Sequence, residues 1–319
     1  AWMNTAVKRI AVIIGMGTAV LLIVRLLWAK PQLDTFAYLP IVQGGSDANG
    51  IQFAVIGDYG NGSAEETAVA KMVTGRQPDF IITTGDNNYP SGEDATIDTH
   101  IGQYFSEYIY PYTGIYTATG SVNRFFPALG NHDWYTANAQ PYLDYFPIAD
   151  SAANTGSSQN ERYYDFVQGP VHFFMLDSDS SEPDGIADDS VQAVWLQTQL
   201  AASTTPWQIV ILHHPPYSSG WHGSSVDLRW PFATWGADAV LNGHEHNYER
   251  LTHDGIPYFV NGAGGAALRP FLLPLPESEV RYNDAHGAIW AQASDTALTF
   301  QFWAVTGGGT LVDAVTVLH

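Results

Sequence analysis

Between residues 51 and 261 the chain returns repeatedly to short apolar runs that stop abruptly at Gly, Asp, Asn or His. IQFAVI (51–56), DFIITT (79–84), RFFPAL (124–129), VHFFML (171–176), WQIVIL (207–212), ADAVLN (237–242) and IPYFVN (256–261) read as strands. Two intervening stretches have apolar residues at helical spacing. SAEETAVAKMV (63–73) opens with the capping-box pattern Ser63-x-x-Glu66, and DSVQAVWLQTQLA (189–201) follows an acidic loop. The C-terminal segments ALTFQFWAV and TLVDAVTVL flank TGGG and predict a hairpin. No internal repeat or second core boundary is visible, so the pattern predicts one α/β domain with an antiparallel end.

The first 30 residues break this pattern. Lys8 and Arg9 precede an unbroken apolar run, Ile10 to Val24, and the apolar character resumes after Arg25 as far as Ala29. Its length suits a cleaved signal peptide or an uncleaved signal anchor, and either exports the main body. The expected organisation is a signal or anchor at 1–30, a flexible Gly-rich linker at 31–50 and a catalytic domain at 51–319.

Composition narrows the chemistry. With no cysteine, thiolate metal sites, disulfides and cysteine nucleophiles are excluded. From residue 50 onward 8 basic residues face 30 acidic ones, a net of −22. Such a surface repels nucleic acid, and an anionic substrate calls for local positive charge other than Lys or Arg.

In open α/β sheets ligands bind beyond the carboxyl ends of strands. The polar residues there are Asp58 (GDYG), Asp86 and Tyr89 (GDNNY), Asn131, His132 and Asp133 (GNHD), His213 and His214 (VILHH), and His244 and His246 (GHEH). Each alone is an ordinary turn or cap. Together they offer enough oxygen and nitrogen donors for two metal ions.

These five blocks resemble those of the purple acid phosphatases in the calcineurin-like metallophosphoesterase superfamily, in the small single-domain form. The resemblance spans residues 51 to about 250. It implies a sandwich of two mixed β-sheets flanked by helices (α/β/β/α), here preceded by one N-terminal hydrophobic helix. It implies that Asp58, Asp86, Tyr89 and His246 hold one metal and Asp86, Asn131, His213 and His244 a second, with Asp86 bridging. The dinuclear centre would be Fe(III) with Zn, Mn or Fe(II), because two carboxylates and a phenolate suit a hard trivalent ion. His132, His222 and Asp133 would be the catalytic positions, and His132, His222 and Asn131 the substrate contacts. His222 is the expected general acid, while His214 fills a variable position behind the ligands.

The implied reaction is attack of a metal-bound hydroxide on a phosphomonoester at acid pH. Two alternatives stay open. One is a phosphodiesterase or nucleotidase on the same site, since substrate choice resides in loops. The other is a membrane-anchored structural subunit of a larger assembly. The expected partners are a small phosphate ester and, through the N-terminal segment, a membrane; no protein partner is named by the sequence.

Overall fold

The structure is a computed structural model that describes residues 50–146, 148, 158 and 160–319. The apolar N-terminal segment and nearly all of the linker lie outside the described residues. Among the described residues no helix is long and apolar enough to cross a membrane.

Thirteen strands carry the fold: β1 (Ile51–Ile56), β2 (Phe80–Thr83), β3 (Phe125–Pro127), β4 (Tyr164–Gln168), β5 (Val171–Met175), β6 (Trp207–Ile211), β7 (Ala239–Asn242), β8 (Tyr248–His253), β9 (Ile256–Asn261), β10 (Ser278–Tyr282), β11 (Gly287–Ala293), β12 (Ala297–Ala304) and β13 (Thr310–Leu318). They form two sheets, ordered β13-β12-β11-β1-β2-β3 and β10-β8-β9-β7-β6-β5-β4. In the first, β1, β2 and β3 are parallel and β11 to β13 antiparallel. In the second, β5, β6, β7 and β9 are parallel, with antiparallel strands at both edges. Both sheets are therefore mixed, as the resemblance implies.

The seven runs read as strands all form strands, and so does the C-terminal hairpin. Missing from the sequence reading are β4, β8, β10 and β11. The sequence of β8, YERLTH, explains one omission: Glu249 and Arg250 look solvated, yet both are buried. Arg250 can be buried because Asp313 of β13 accepts from its Nε at 2.7 Å and Glu279 of β10 pairs with its Nη1. Periodicity cannot register such distant partners.

Helix α1 (Ala64–Gly75) returns the chain from β1 to β2, and α2 (Val191–Ala202) from β5 to β6. Ser63 caps α1 by accepting from the Glu66 amide at 3.1 Å. Glu66 does not complete the reciprocal bond to Ser63. Its carboxylate reaches further upstream and accepts from Asn61 and Gly62 at 3.0 and 2.6 Å, fastening the loop after β1.

The core lies between the sheets, and residues alternate across β6 to fill two layers. Trp207, Ile209 and Ile211 join the inter-sheet core, whereas Val210 and Leu212 pack outward beside Ala193, Leu196 and Leu200 of α2. At the centre Phe173 meets Phe53 and Phe80 of the opposite sheet edge-on, with centroids 5.2 and 5.5 Å apart, and stacks on Phe166 at 4.8 Å. Truncating such a residue to Ala costs about 3–5 kcal/mol. This packing sets the position of one sheet against the other, and with it the strand ends that carry the polar residues.

Candidate metal centre

The polar residues found by sequence follow β1, β2, β3, β6 and β7 at their carboxyl ends. The chain turns sharply there. Asp58, Asp86 and His244 adopt left-handed backbone, with φ of 54°, 51° and 67°. Non-glycine residues held in this region cost roughly 1–3 kcal/mol each and cluster where function requires a particular aim. Two glycines leave room for the aimed carboxylates. A Cβ on Gly130 would collide with Asp86 Oδ1, and one on Gly243 would fall 2.6 Å from Asp58 Oδ2.

Seven side chains converge into two groups of four that share one residue. In the first, the Tyr89 hydroxyl lies 2.9 Å from Asp86 Oδ2, 3.2 Å from Asp58 Oδ1 and 3.2 Å from His246 Nε2. In the second, Asn131 Oδ1 lies 3.2 Å from His213 Nε2 and 3.1 Å from His244 Nδ1, and His213 Nε2 lies 3.4 Å from Asp86 Oδ2. Asp86 Oδ2 thus faces both groups.

Four of these side chains are fastened to backbone on their opposite face. The amide of His132 donates to Asp86 Oδ1 and that of His244 to Asp58 Oδ2, both at 2.8 Å. His213 Nδ1 donates to the Thr84 carbonyl at 2.8 Å and His246 Nδ1 to that of Ala267 at 2.9 Å, so each ring turns Nε2 inward. Supports of this kind orient metal ligands and fix their tautomers.

Electrostatics points to a cation here. Burial pushes the Tyr89 hydroxyl well above its ordinary pKa, and Asp58 and Asp86 push it further. Burial also opposes charge on Asp86 and His213. Their mutual attraction outweighs it, holding the Asp86 carboxyl below its usual range and raising His213 to about 10. Three acidic groups, one amide oxygen and three imidazoles packed at these distances fit two metal ions, which would displace the His213 proton, with Asp86 as the shared ligand.

The remaining candidates surround this cluster. His132 packs on the Tyr89 ring with centroids 4.3 Å apart, and its Nε2 lies 3.9 Å from Asp86 Oδ2. His214 is half-buried behind the second group, with Nδ1 2.9 Å from Ser178 Oγ, although its ring also lies close to His213 and His244. Asp133 turns away from the cluster: it accepts from the amides of Gly130 and Asn87 at 2.9 and 3.1 Å and from the Asn87 side chain at 2.9 Å. Burial and then Asp86 raise its carboxyl to about 7. Its contacts are those of a brace for the loop bearing Asn131 and His132.

His222 does reach the centre. Its ring packs on His244, with centroids 4.3 Å apart, and its amide donates to the buried Glu245 at 2.5 Å. Its Nε2 is 2.6 Å from Nη1 of Arg269. Because a guanidinium only donates, Nε2 is the acceptor, and proton donation from that atom requires Arg269 to move off it. Arg269 is a residue beside the candidate site that the sequence reading did not single out. It corrects the expectation that positive charge at the site excludes arginine. It follows β9 within a stretch that has no recognisable motif, LRPFLLP; its lone basic character amid acidic surroundings was the available signal.

Known proteins resemble this chain in sequence and fold. Residues 51–248 match the family model described as calcineurin-like phosphoesterase. The chain is 28% identical over 284 residues to purple acid phosphatase 17 of Arabidopsis thaliana, covering 81% of this chain and 82% of that protein. It is also 28% identical over 246 residues to human tartrate-resistant acid phosphatase type 5, covering 67% and 73%. Among solved structures, the fold is similar to the purple acid phosphatase PPD1 of yellow lupin (TM-score 0.67, 18% identity, 84% of this chain and 54% of that one). It is also similar to GAP50, the anchor in the inner membrane complex of Plasmodium (TM-score 0.64, 17% identity, 84% and 89%).

Proposed function

Because the chain belongs to the calcineurin-like phosphoesterase family and is a homologue of purple acid phosphatases, we propose that it is a dimetal phosphomonoesterase of the acid phosphatase type. The observation that carries this reading is the shared Asp86 Oδ2, which faces two complete sets of donors. Asp58, Asp86, Tyr89 and His246 would hold one ion, and Asp86, Asn131, His213 and His244 the other. The acidic set suits Fe(III), and the amide and imidazole set suits Zn, Mn or Fe(II). When bound, such a pair acidifies a coordinated water and neutralises charge on phosphate oxygens.

The chain's own side chains supply orientation. His132, over Tyr89, and His222, over His244, flank the place where a phosphoryl group would sit, and both offer ring nitrogens to its oxygens. Asp133 holds the Asn131–His132 turn rigid from behind. Proton transfer to the departing oxygen falls to His222 once its Nε2 is released by Arg269 and has taken up a proton from solvent. The N-terminal apolar segment supports an extracytoplasmic placement, by anchoring or secretion.

The test is hydrolysis of a chromogenic phosphomonoester and a bis-ester across pH by the metal-loaded protein, beside Asp86→Ala. Monoester turnover that peaks at acid pH and collapses in the variant supports the reading. A preference for the bis-ester would reassign it as a diesterase. If wild type were no faster than the variant on either substrate, the enzyme reading would fall, leaving a docking domain of a larger assembly.

A further inference from the structure

Arg269 has an unusual position for an arginine in so acidic a protein. Arg162 pairs with Glu182, and Arg250 with Asp313 and Glu279. Arg76 packs over Trp303 and Arg124 over Tyr108. Among the described residues Arg269 has no carboxylate partner; its guanidinium donates to one neutral imidazole, His222, at 2.6 Å. It is half-buried, and among the described residues no ion pair holds its remaining N–H groups. An arginine left in this state is a ready binding group for an anion, above all a phosphate that matches its planar fork.

Its place identifies which phosphate. The amide of Arg269 donates to the His246 carbonyl at 2.9 Å, anchoring the loop beside the first metal set. The loop is fastened again where Leu272 and Leu275 donate to Ser219, at 3.0 and 2.9 Å, just before Trp221 and His222. The His222 ring lies between the guanidinium and His244. A phosphoryl group lodged against the seven converging side chains would touch His132 and His222 first. Arg269 stands one imidazole further out from His244.

Resting on the phosphatase reading, we propose that Arg269 is a specificity-determining residue that binds a second phosphoryl group attached to the scissile one. At this phosphatase centre a diphosphate is therefore favoured over a simple monoester. On binding, the second phosphate draws the guanidinium away from His222 and leaves Nε2 facing the bridging oxygen. Water then adds its oxygen to the terminal phosphorus while the bridging P–O bond breaks. The leaving phosphate keeps the bridging oxygen and takes up the proton released by the water. Substrates lacking the second phosphate draw Arg269 off His222 less readily.

The experiment compares the metal-loaded full chain with Arg269→Gln, Arg269→Lys and, as a control for loss of charge elsewhere, Arg281→Gln. For each, kcat/KM is measured on inorganic pyrophosphate and on p-nitrophenyl phosphate, and binding of methylenediphosphonate and of phosphate is measured by calorimetry. The expected result is a ratio of pyrophosphate to monoester kcat/KM that falls roughly tenfold or more in Arg269→Gln, in step with weaker diphosphonate binding. Arg269→Lys should recover part of the ratio, and Arg281→Gln should leave it unchanged. An equal fall on both substrates would assign Arg269 to the transferred phosphoryl group, and no fall on either would give it a structural role; each overturns the proposal. If wild type hydrolysed neither substrate, the phosphatase reading would fail by itself, and diphosphonate binding by wild type and variant would still decide the role of Arg269.

Discussion

The two halves of the candidate centre meet at one oxygen of Asp86 and differ in almost everything else. The half built from Asp58, Tyr89 and His246 is acidic, and two of its three private members follow strands of the first sheet. The half built from Asn131, His213 and His244 is neutral, and two of its three follow strands of the second sheet. Each sheet thus biases one half. The difference teaches how a nearly symmetric frame produces an asymmetric pair: the residues just past each strand set chemical identity, while the packing of the sheets sets spacing.

Removing the shared residue should abolish the distinction. Asp86→Ala is expected to lose both metals, measured by elemental analysis after dialysis, and to lower kcat by roughly a thousandfold or more. A variant retaining two ions and near-normal turnover would show that the halves do not depend on a common bridge.

Private ligands should separate the halves. His244→Ala is expected to reduce bound metal from two ions to one, sparing the one held by the acidic half, with a loss of activity exceeding about a hundredfold. If instead the acidic half emptied, the division of ligands would be wrong.

Tyr89→Phe asks a finer question, since it removes one donor and leaves the ring in place. The expected outcome is retained metal with loss of the visible absorption that an Fe(III)-phenolate would give. An unchanged spectrum would take Tyr89 out of the ligand set.

The smallest expected effect concerns a brace of the acidic half. Burial raises Glu66 to about 8, outweighing the two amides that donate to it. A carboxyl whose folded pKa is raised contributes stability that is full below its unfolded pKa near 4.5 and is lost as pH rises through about 8. Glu66→Gln should therefore flatten the decline in unfolding free energy across that window, which is at most about 1.4 kcal/mol per pH unit for one proton. A slope identical to that of wild type in urea titrations would show that Glu66 keeps an ordinary pKa.

Much of the centre was legible in sequence because each of its residues follows an apolar run at a fixed short distance. The Asp58, Asp86 and Asn131 turns announce themselves by the glycine before them, and His213 by the strand that ends beside it. Arg269 was hidden for the opposite reason. Its position depends on how the loop after β9 folds back over His246 and Ser219, a contact between distant segments with no local signature. Strand β8 was hidden in the same way, since Arg250 looks solvated until Asp313 and Glu279 are brought to it. The contacts of Asp133, for which the resemblance implies a catalytic position, were hidden likewise, since the tight turn directs its carboxylate back onto Gly130.

The side chains that would hold each ion come from both sheets, and this has a mechanical consequence. Aromatic pairs such as Phe173 on Phe53 resist pulling the sheets apart, but apolar surfaces yield more readily to sliding, because area uncovered on one side is partly covered again on the other. Coordination bonds running from Asp58 and His246 to one ion, and from Asn131 and His213 to the other, would oppose that shear directly. The centre would then act as a pair of rivets through a lap joint, tying the rigidity of the domain to its metal load.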